Sequence, residues 1–166
     1  MIRMQRNWTP QEGKLPALSI RQPFASAIIL GYKSIELRTW RTAYRGPLVI
    51  ASSALWWGDV KLPGRVSAAR MEPIHRAARN LGMSGMPLGA CPTSAILGVA
   101  LLVGCRGYPK EEYEALKYLH RSDAPWNPSV VGWHFDRVYV LPEPILNVRG
   151  TLGLFPVDAF PYPSFS

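Results

Sequence analysis

The chain has 166 residues, of which 48% are hydrophobic and 18% charged, with a formal net charge of +8. That length and balance predict one globular domain with a real core and exclude a disordered chain. No run approaches the roughly 18 apolar residues of a membrane-crossing helix, so no membrane association is expected.

Cys91 and Cys105 have no CxxC spacing, and His75, His120 and His134 are scattered, so neither a metal site nor any cofactor is expected. The N-terminal stretch is polar and basic without an apolar core, unlike a secretory signal. A cytoplasmic protein with reduced thiols is the expectation. The basic excess is uneven. Up to Arg79 there are thirteen Lys and Arg against Glu12, Glu36, Asp59 and Glu72, whereas beyond it six basic residues meet seven acidic ones. A basic half suits a polyanionic partner, because each cation that neutralises a phosphate releases condensed counterions. Sixteen prolines and fourteen glycines predict many short elements separated by turns.

In chain order, residues 1–14 read as a flexible basic lead-in and 15–158 as the domain. Ala17 to Ile20 is a short apolar run that fits a first strand. Pro23 suits the first turn of a helix, where its missing N–H costs nothing. Phe24, Ala27, Ile28 and Leu30 give helical spacing, and Gly31 is a C-cap. Lys33 to Thr39 alternates, with Ile35 and Leu37 on one side and Ser34, Glu36 and Arg38 on the other, as a half-buried strand does. Tyr44 to Pro47 is a turn, and Leu48 to Ser52 another strand.

Residues 58–92 break the pattern and read as a variable insert. Within it Pro73 opens a predicted helix to Leu81, with His75, Arg76 and Arg79 outward. Ser94 to Gly104 is a central strand, and Pro109 begins a helix carrying Tyr113, Leu116 and Leu119. Val130 to Leu141 is a long strand in which Val131, Trp133 and Phe135 alternate with Gly132, His134 and Asp136. Pro142-Glu143-Pro144 is expected to interrupt it. Ile145–Val148 and Leu152–Val157 complete the sheet, and 159–166 is a tail. About six strands are enough to close a small barrel with short helices outside.

Three segments carry a resemblance: Leu18-Ser-Ile-Arg-Gln-Pro-Phe-Ala25, Gly31-Tyr-Lys-Ser-Ile-Glu-Leu-Arg-Thr-Trp40 and Tyr44-Arg-Gly-Pro-Leu-Val-Ile-Ala51. With Ala95 to Val103, Val131 to Phe135, Pro142 to Ile145 and Gly150 to Phe155 following in order, the chain resembles the ASCH (activating-signal-cointegrator homology) family. The resemblance implies an α+β fold, a PUA-like small mixed β-barrel with flanking short helices. It also implies a cleft between the first helix and the neighbouring strands, and a nucleic-acid partner, RNA ahead of DNA, single-stranded or carrying a modified nucleotide.

The candidate binding residues are Ser19, Arg21, Gln22, Lys33, Glu36, Arg38, Arg41, Arg45, Trp133 and His134, with Arg76 and Arg79 from the insert. Lys, Glu and Arg together can hold a phosphate and bond a base edge. An Arg–Glu ion pair that merely sets the corner is an equally good reading of Glu36. Lys33 reads as an exposed lysine whose removal should barely affect folding. Trp40, Trp56, Trp57 and Trp133 are candidates to stack a base, although tryptophans in a small barrel are more often core.

Two other functions stay open. Some relatives hydrolyse N4-acetylcytidine with a lysine after the glycine turn, a threonine three residues on and a glutamate on a later helix. Here Lys33 matches, Glu36 stands at the threonine position, and Glu111, Glu112 and Glu114 share the later helix. If the chain is an enzyme, a metal-independent ribonuclease or amidohydrolase, Lys33 and Glu36 are its catalytic candidates. The third reading is a transcription- or translation-linked protein-interaction module.

Overall fold

The structure is a computed structural model, and it describes residues 8–165. Of the lead-in, residues 1–7 lie outside the described residues, and Lys14 already belongs to the sheet. Six strands are described: β1 (Lys14–Gln22), β2 (Ile35–Arg38), β3 (Gly46–Trp56), β4 (Ile96–Gly107), β5 (Val131–Ile145) and β6 (Leu154–Asp158). Four α-helices accompany them: α1 (Phe24–Ile29), α2 (Ala68–Leu81), α3 (Lys110–Ala115) and α4 (Lys117–His120).

The sheet order is β2-β5-β4-β3-β1-β6. β1 runs parallel to β3, and every other neighbouring pair is antiparallel. This is the expected mixed α+β sheet, and it is curled. Arg38 on β2 donates from Nη2 to the Ser19 carbonyl on β1 at 3.1 Å. Four strand spacings lie between those strands, which in a flat sheet would separate them by about 19 Å. The curl is not sealed by backbone bonds, since β2 and β6 are the two edges of the ladder.

α1 fills the curl. Ala25, Ile28 and Ile29 pack with Leu18 and Ile20 of β1, Leu48 and Ile50 of β3, and Trp133 of β5. Pro23 precedes α1 as its N-cap. One free donor of that helix start is met by Gln22, whose Oε1 accepts from the Ser26 N–H at 3.0 Å. Gly31 sits at φ +87°, a left-handed conformation that suits glycine after a helix.

The sequence-based outline needs several corrections. The strand expected over Ile145–Val148 does not form, because β5 runs through to Ile145 and ends there. α2 begins at Ala68, not at Pro73. Ser67 in extended conformation caps it, its hydroxyl accepting from the Arg70 N–H, and Pro73 sits inside the helix. The cap residue, not the proline, sets the start. Likewise Pro142 and Pro144 do not interrupt β5. β2 covers β5 only between Val131 and His134, and the β4–β5 register skips from Gly98↔Val140 to Ile96↔Ile145. The prolines therefore fall at an irregular stretch with one free edge, where no ladder N–H is required.

Residues 58–92 build a second core together with the end of β3 and α1. Trp56, Val60, Ile74, Ala78, Leu81 and Met83 pack together against Ala27 of α1. α2 is thereby fixed beside the curled sheet rather than hung from it.

Candidate functional site

A cleft of about 1320 Å³ opens where α1, β1 and β2 meet, between α2 on one wall and residues 121–127 on the other. It gathers Ser19, Arg21, Lys33, Glu36, Arg38 and Arg76 of the expected site. The curl of the sheet is what brings β1 and β2 to a common floor.

Lys33 is buried, not exposed, at 4% of its accessible surface. Its ammonium donates to the His120 carbonyl at 2.5 Å, lies 3.8 Å from Glu36 Oε1, and sits 5.6 Å from the centre of the Phe24 ring. Burial pushes the Lys33 amine below its ordinary range, Glu36 opposes that shift, and Arg38 adds to it. Glu36 accepts from the Leu37 N–H at 3.0 Å and lies 3.7 Å from Arg38 Nη2. One carboxylate thus serves two cations. Arg38 Nε is buried and has no partner among the described residues.

The walls add Asn80, Arg121 and Asp123, which the sequence did not single out. Pro73, Arg76, Ala77 and Asn80 form one stripe of α2, at the spacing of a helix face. Across from it Asn80 Nδ2 donates to Asp123, which is also paired with Lys117 at 2.9 Å. Arg121 follows α4 in a left-handed conformation, φ 59°, and its Nε too is buried without a partner among the described residues. His120 shapes this loop. Its Nδ1 accepts from the Ser122 N–H at 3.0 Å, its Nε2 faces the Tyr113 carbonyl at 2.9 Å, and its ring stacks on Tyr113. Burial holds the imidazole below its ordinary value of 6.5. Trp57, 43% exposed, meets Phe24 edge to face at 5.4 Å on the apolar side of the cleft.

Six of the expected residues do not line the cleft. Gln22 is fully buried, tied to Ser26 and to the Pro92 carbonyl. Trp133 is core, its indole N–H donating to the Trp40 carbonyl. His134 bonds the Tyr108 hydroxyl, and burial pushes that phenol up to about 12. Arg45 donates to the Thr42 and Tyr44 carbonyls within its own turn. Arg41 lies beside Gly107, and Arg79 pairs with Glu72 on the outer face of α2. Trp56 is likewise core. Among the described residues no His, Cys, Asp and Glu cluster has metal-binding geometry, and no helix is long and apolar enough to cross a membrane.

A curled mixed sheet filled by one short helix, with a cleft at the helix–strand corner, defines an α+β domain of the PUA-like kind. The chain belongs to the ASCH domain family, whose pattern matches residues 18–144. It is similar to human activating signal cointegrator 1, 28% identical over 109 residues, a match covering 66% of this chain and 17% of that protein. The mouse protein of the same name is 31% identical over 88 residues, covering 53% of this chain and 14% of its own. The chain therefore spans a small part of the curated relatives it matches.

Proposed function

We propose that this domain binds single-stranded nucleic acid, RNA in the first place, in the cleft between α2 and residues 121–127. The observation that carries the reading is the composition of that cleft. The guanidinium side chains of Arg21, Arg38, Arg76 and Arg121 line it beside an aromatic wall of Trp57 and Phe24. Phosphate asks for the first and a nucleobase face for the second. The net charge of +8 supports the same partner. A cytoplasmic setting, with Cys91 and Cys105 as free thiols, suits it.

The test is a titration of a labelled single-stranded oligoribonucleotide at several salt concentrations, with a deoxy strand in parallel. Contact with four or five phosphates gives a slope of log K on log salt of about −3. A flat dependence, or no binding at low salt, removes the reading.

A hydrolase reading rests on the buried Lys33 beside Glu36, since a desolvated lysine can act as base or nucleophile. Two features weigh against it. The ammonium is already held by the His120 carbonyl. The helical glutamates lie away from the cleft, with Glu112 paired to Arg106 at 2.5 Å. Incubation with N4-acetylcytidine and with an oligoribonucleotide is expected to leave both intact.

A further inference from the structure

We propose that the cleft orients its nucleotide with the phosphate at the rim, on Arg76 of α2 and Arg121 after α4, and the base inward against Trp57 and the Glu36–Arg38 floor. This rests on the nucleic-acid reading and adds a direction and a phosphate subsite to it.

The cations of the floor are already matched. Arg21 pairs with Asp59 at 2.5 Å, Lys33 is held by His120 and Glu36, and Arg38 by the Ser19 carbonyl and Glu36. An arriving phosphate would have to compete with these partners. The rim is different. Arg76 makes no hydrogen bond or ion pair among the described residues and acts on Asp123 through space. Arg121 Nε is a buried donor with no acceptor among them, a condition that folded proteins rarely leave unmet.

The two rim arginines line the same cleft although they come from distant segments. Asn80 lies one helical turn beyond Arg76 on the same face, and its side chain bonds Asp123, two residues after Arg121. Arg121 also lines a small depression together with Asn80 and Lys117. Lys117 and Arg76 both act on one carboxylate, Asp123, and Arg121 shares the depression with Lys117 and Asn80. The unbalanced positive charge suits a phosphate oxyanion, and guanidinium forks match its geometry. Arg121 is also held in place, because Lys33 fixes the carbonyl before it and His120 the amide after it.

With the phosphate at the rim, the base reaches the edge-to-face pair of Phe24 and Trp57. The Arg38 guanidinium and the Glu36 carboxylate, both lining the floor, offer a donor and an acceptor to a base edge.

The test compares the parent with Arg76→Gln, Arg121→Gln and, as a control on the outer face of α2, Arg79→Gln. Each is titrated with labelled hexauridylate over a range of salt, and melted with and without inorganic pyrophosphate. The expected result is an affinity loss of about tenfold in each rim variant. The salt slope becomes shallower by about 0.7 for each phosphate contact removed, and Arg79→Gln behaves as the parent. Pyrophosphate raises the melting temperature of the parent but not of Arg121→Gln. If the parent binds hexauridylate and both rim variants keep its affinity and slope, the orientation is overturned while the nucleic-acid reading stands. If pyrophosphate binds through Arg121 but hexauridylate does not bind, the phosphate subsite stands and the nucleic-acid reading falls. If the parent binds neither, both fall. Arg76 is exposed on a helix, so its variant remains informative should Arg121→Gln fail to fold.

Discussion

The Lys33 ammonium donates to the His120 carbonyl at 2.5 Å, and the Ser34 N–H donates to the Leu119 carbonyl at 3.1 Å just beside it. Together they join the corner after α1 to the end of α4, and so tie the cleft floor to the loop that carries Arg121.

Lys33→Met should therefore destabilise the domain, contrary to what an exposed lysine would do. It leaves the buried His120 carbonyl without its donor, at a cost of about 1–3 kcal/mol. For a domain of this size the melting temperature should fall by roughly 2–4 °C per kcal/mol. A urea or thermal melt within a degree of the parent would sink this account of Lys33.

Acid should weaken the fold before the carboxylates titrate. Burial holds both His120 and His134 below the ordinary value of 6.5. On lowering the pH, the unfolded chain takes up these protons first, so stability that is present above 6.5 is lost as pH falls from there towards the folded values. The melting temperature should drop between pH 7.5 and 5.5. His120→Gln should be less stable at neutral pH but show a flatter dependence, and an unchanged slope would remove His120 from the explanation.

Trp57→Ala separates binding from folding. The side chain is 43% exposed, so its loss should move the melting temperature little. Loss of a stacked base is worth about 1–3 kcal/mol, which is roughly a tenfold drop in affinity or more. Titration of the variant with the same oligonucleotide as the parent decides it, and equal affinity would take Trp57 out of the site.

Gly150→Ala probes the third wall. A Cβ at Gly150 would stand 2.8 Å from Ser19 Cβ and Oγ, too close for both to stay in place. Residues 150–153 line the cleft, so the variant should bind more weakly, with a melting loss of a few degrees from overpacking. Unchanged binding would show that this wall can yield without disturbing the ligand.

Arg45→Gln should leave affinity unaltered in the same titration, because its guanidinium stays within the turn at Thr42 and Tyr44. A clear loss would place the ligand beyond the cleft.

Much of the first half of the fold was legible because its signals are short-range. Apolar run, Pro23, helical spacing and Gly31 succeed one another within about two turns and two strands. The strand–helix–strand order appears as expected, although Glu36 of β2 is buried rather than outward and Leu30 is exposed. α2 was misplaced because a lone Ser67 cap is a weaker mark in sequence than a proline. The floor of the cleft was half legible: Ser19, Arg21, Lys33, Glu36 and Arg38 do come together, but their burial was not visible. It depends on α4 arriving over Lys33, a contact across 87 residues. Asn80, Arg121 and Asp123 gave no local signal at all, since 43 residues separate Asn80 from its acceptor. Trp133 and His134 were placed in the site by motif, and strand alternation then sent one into the core and the other to Tyr108.

The placement of β1 between β3 and β6 has a kinetic consequence. Leu15 pairs with Val157 and Lys14 with Asp158, so the first and last strands must find each other across almost the whole chain. Closing such a loop costs entropy before any contact repays it, and folds dominated by distant pairings assemble slowly, over about milliseconds to seconds. α1 can dock on β3, β4 and β5 before that closure, but the edge made by β6 forms only when synthesis has reached Asp158. Until then β1 carries an unpaired apolar edge, the stage at which this domain is most open to mispairing with another copy.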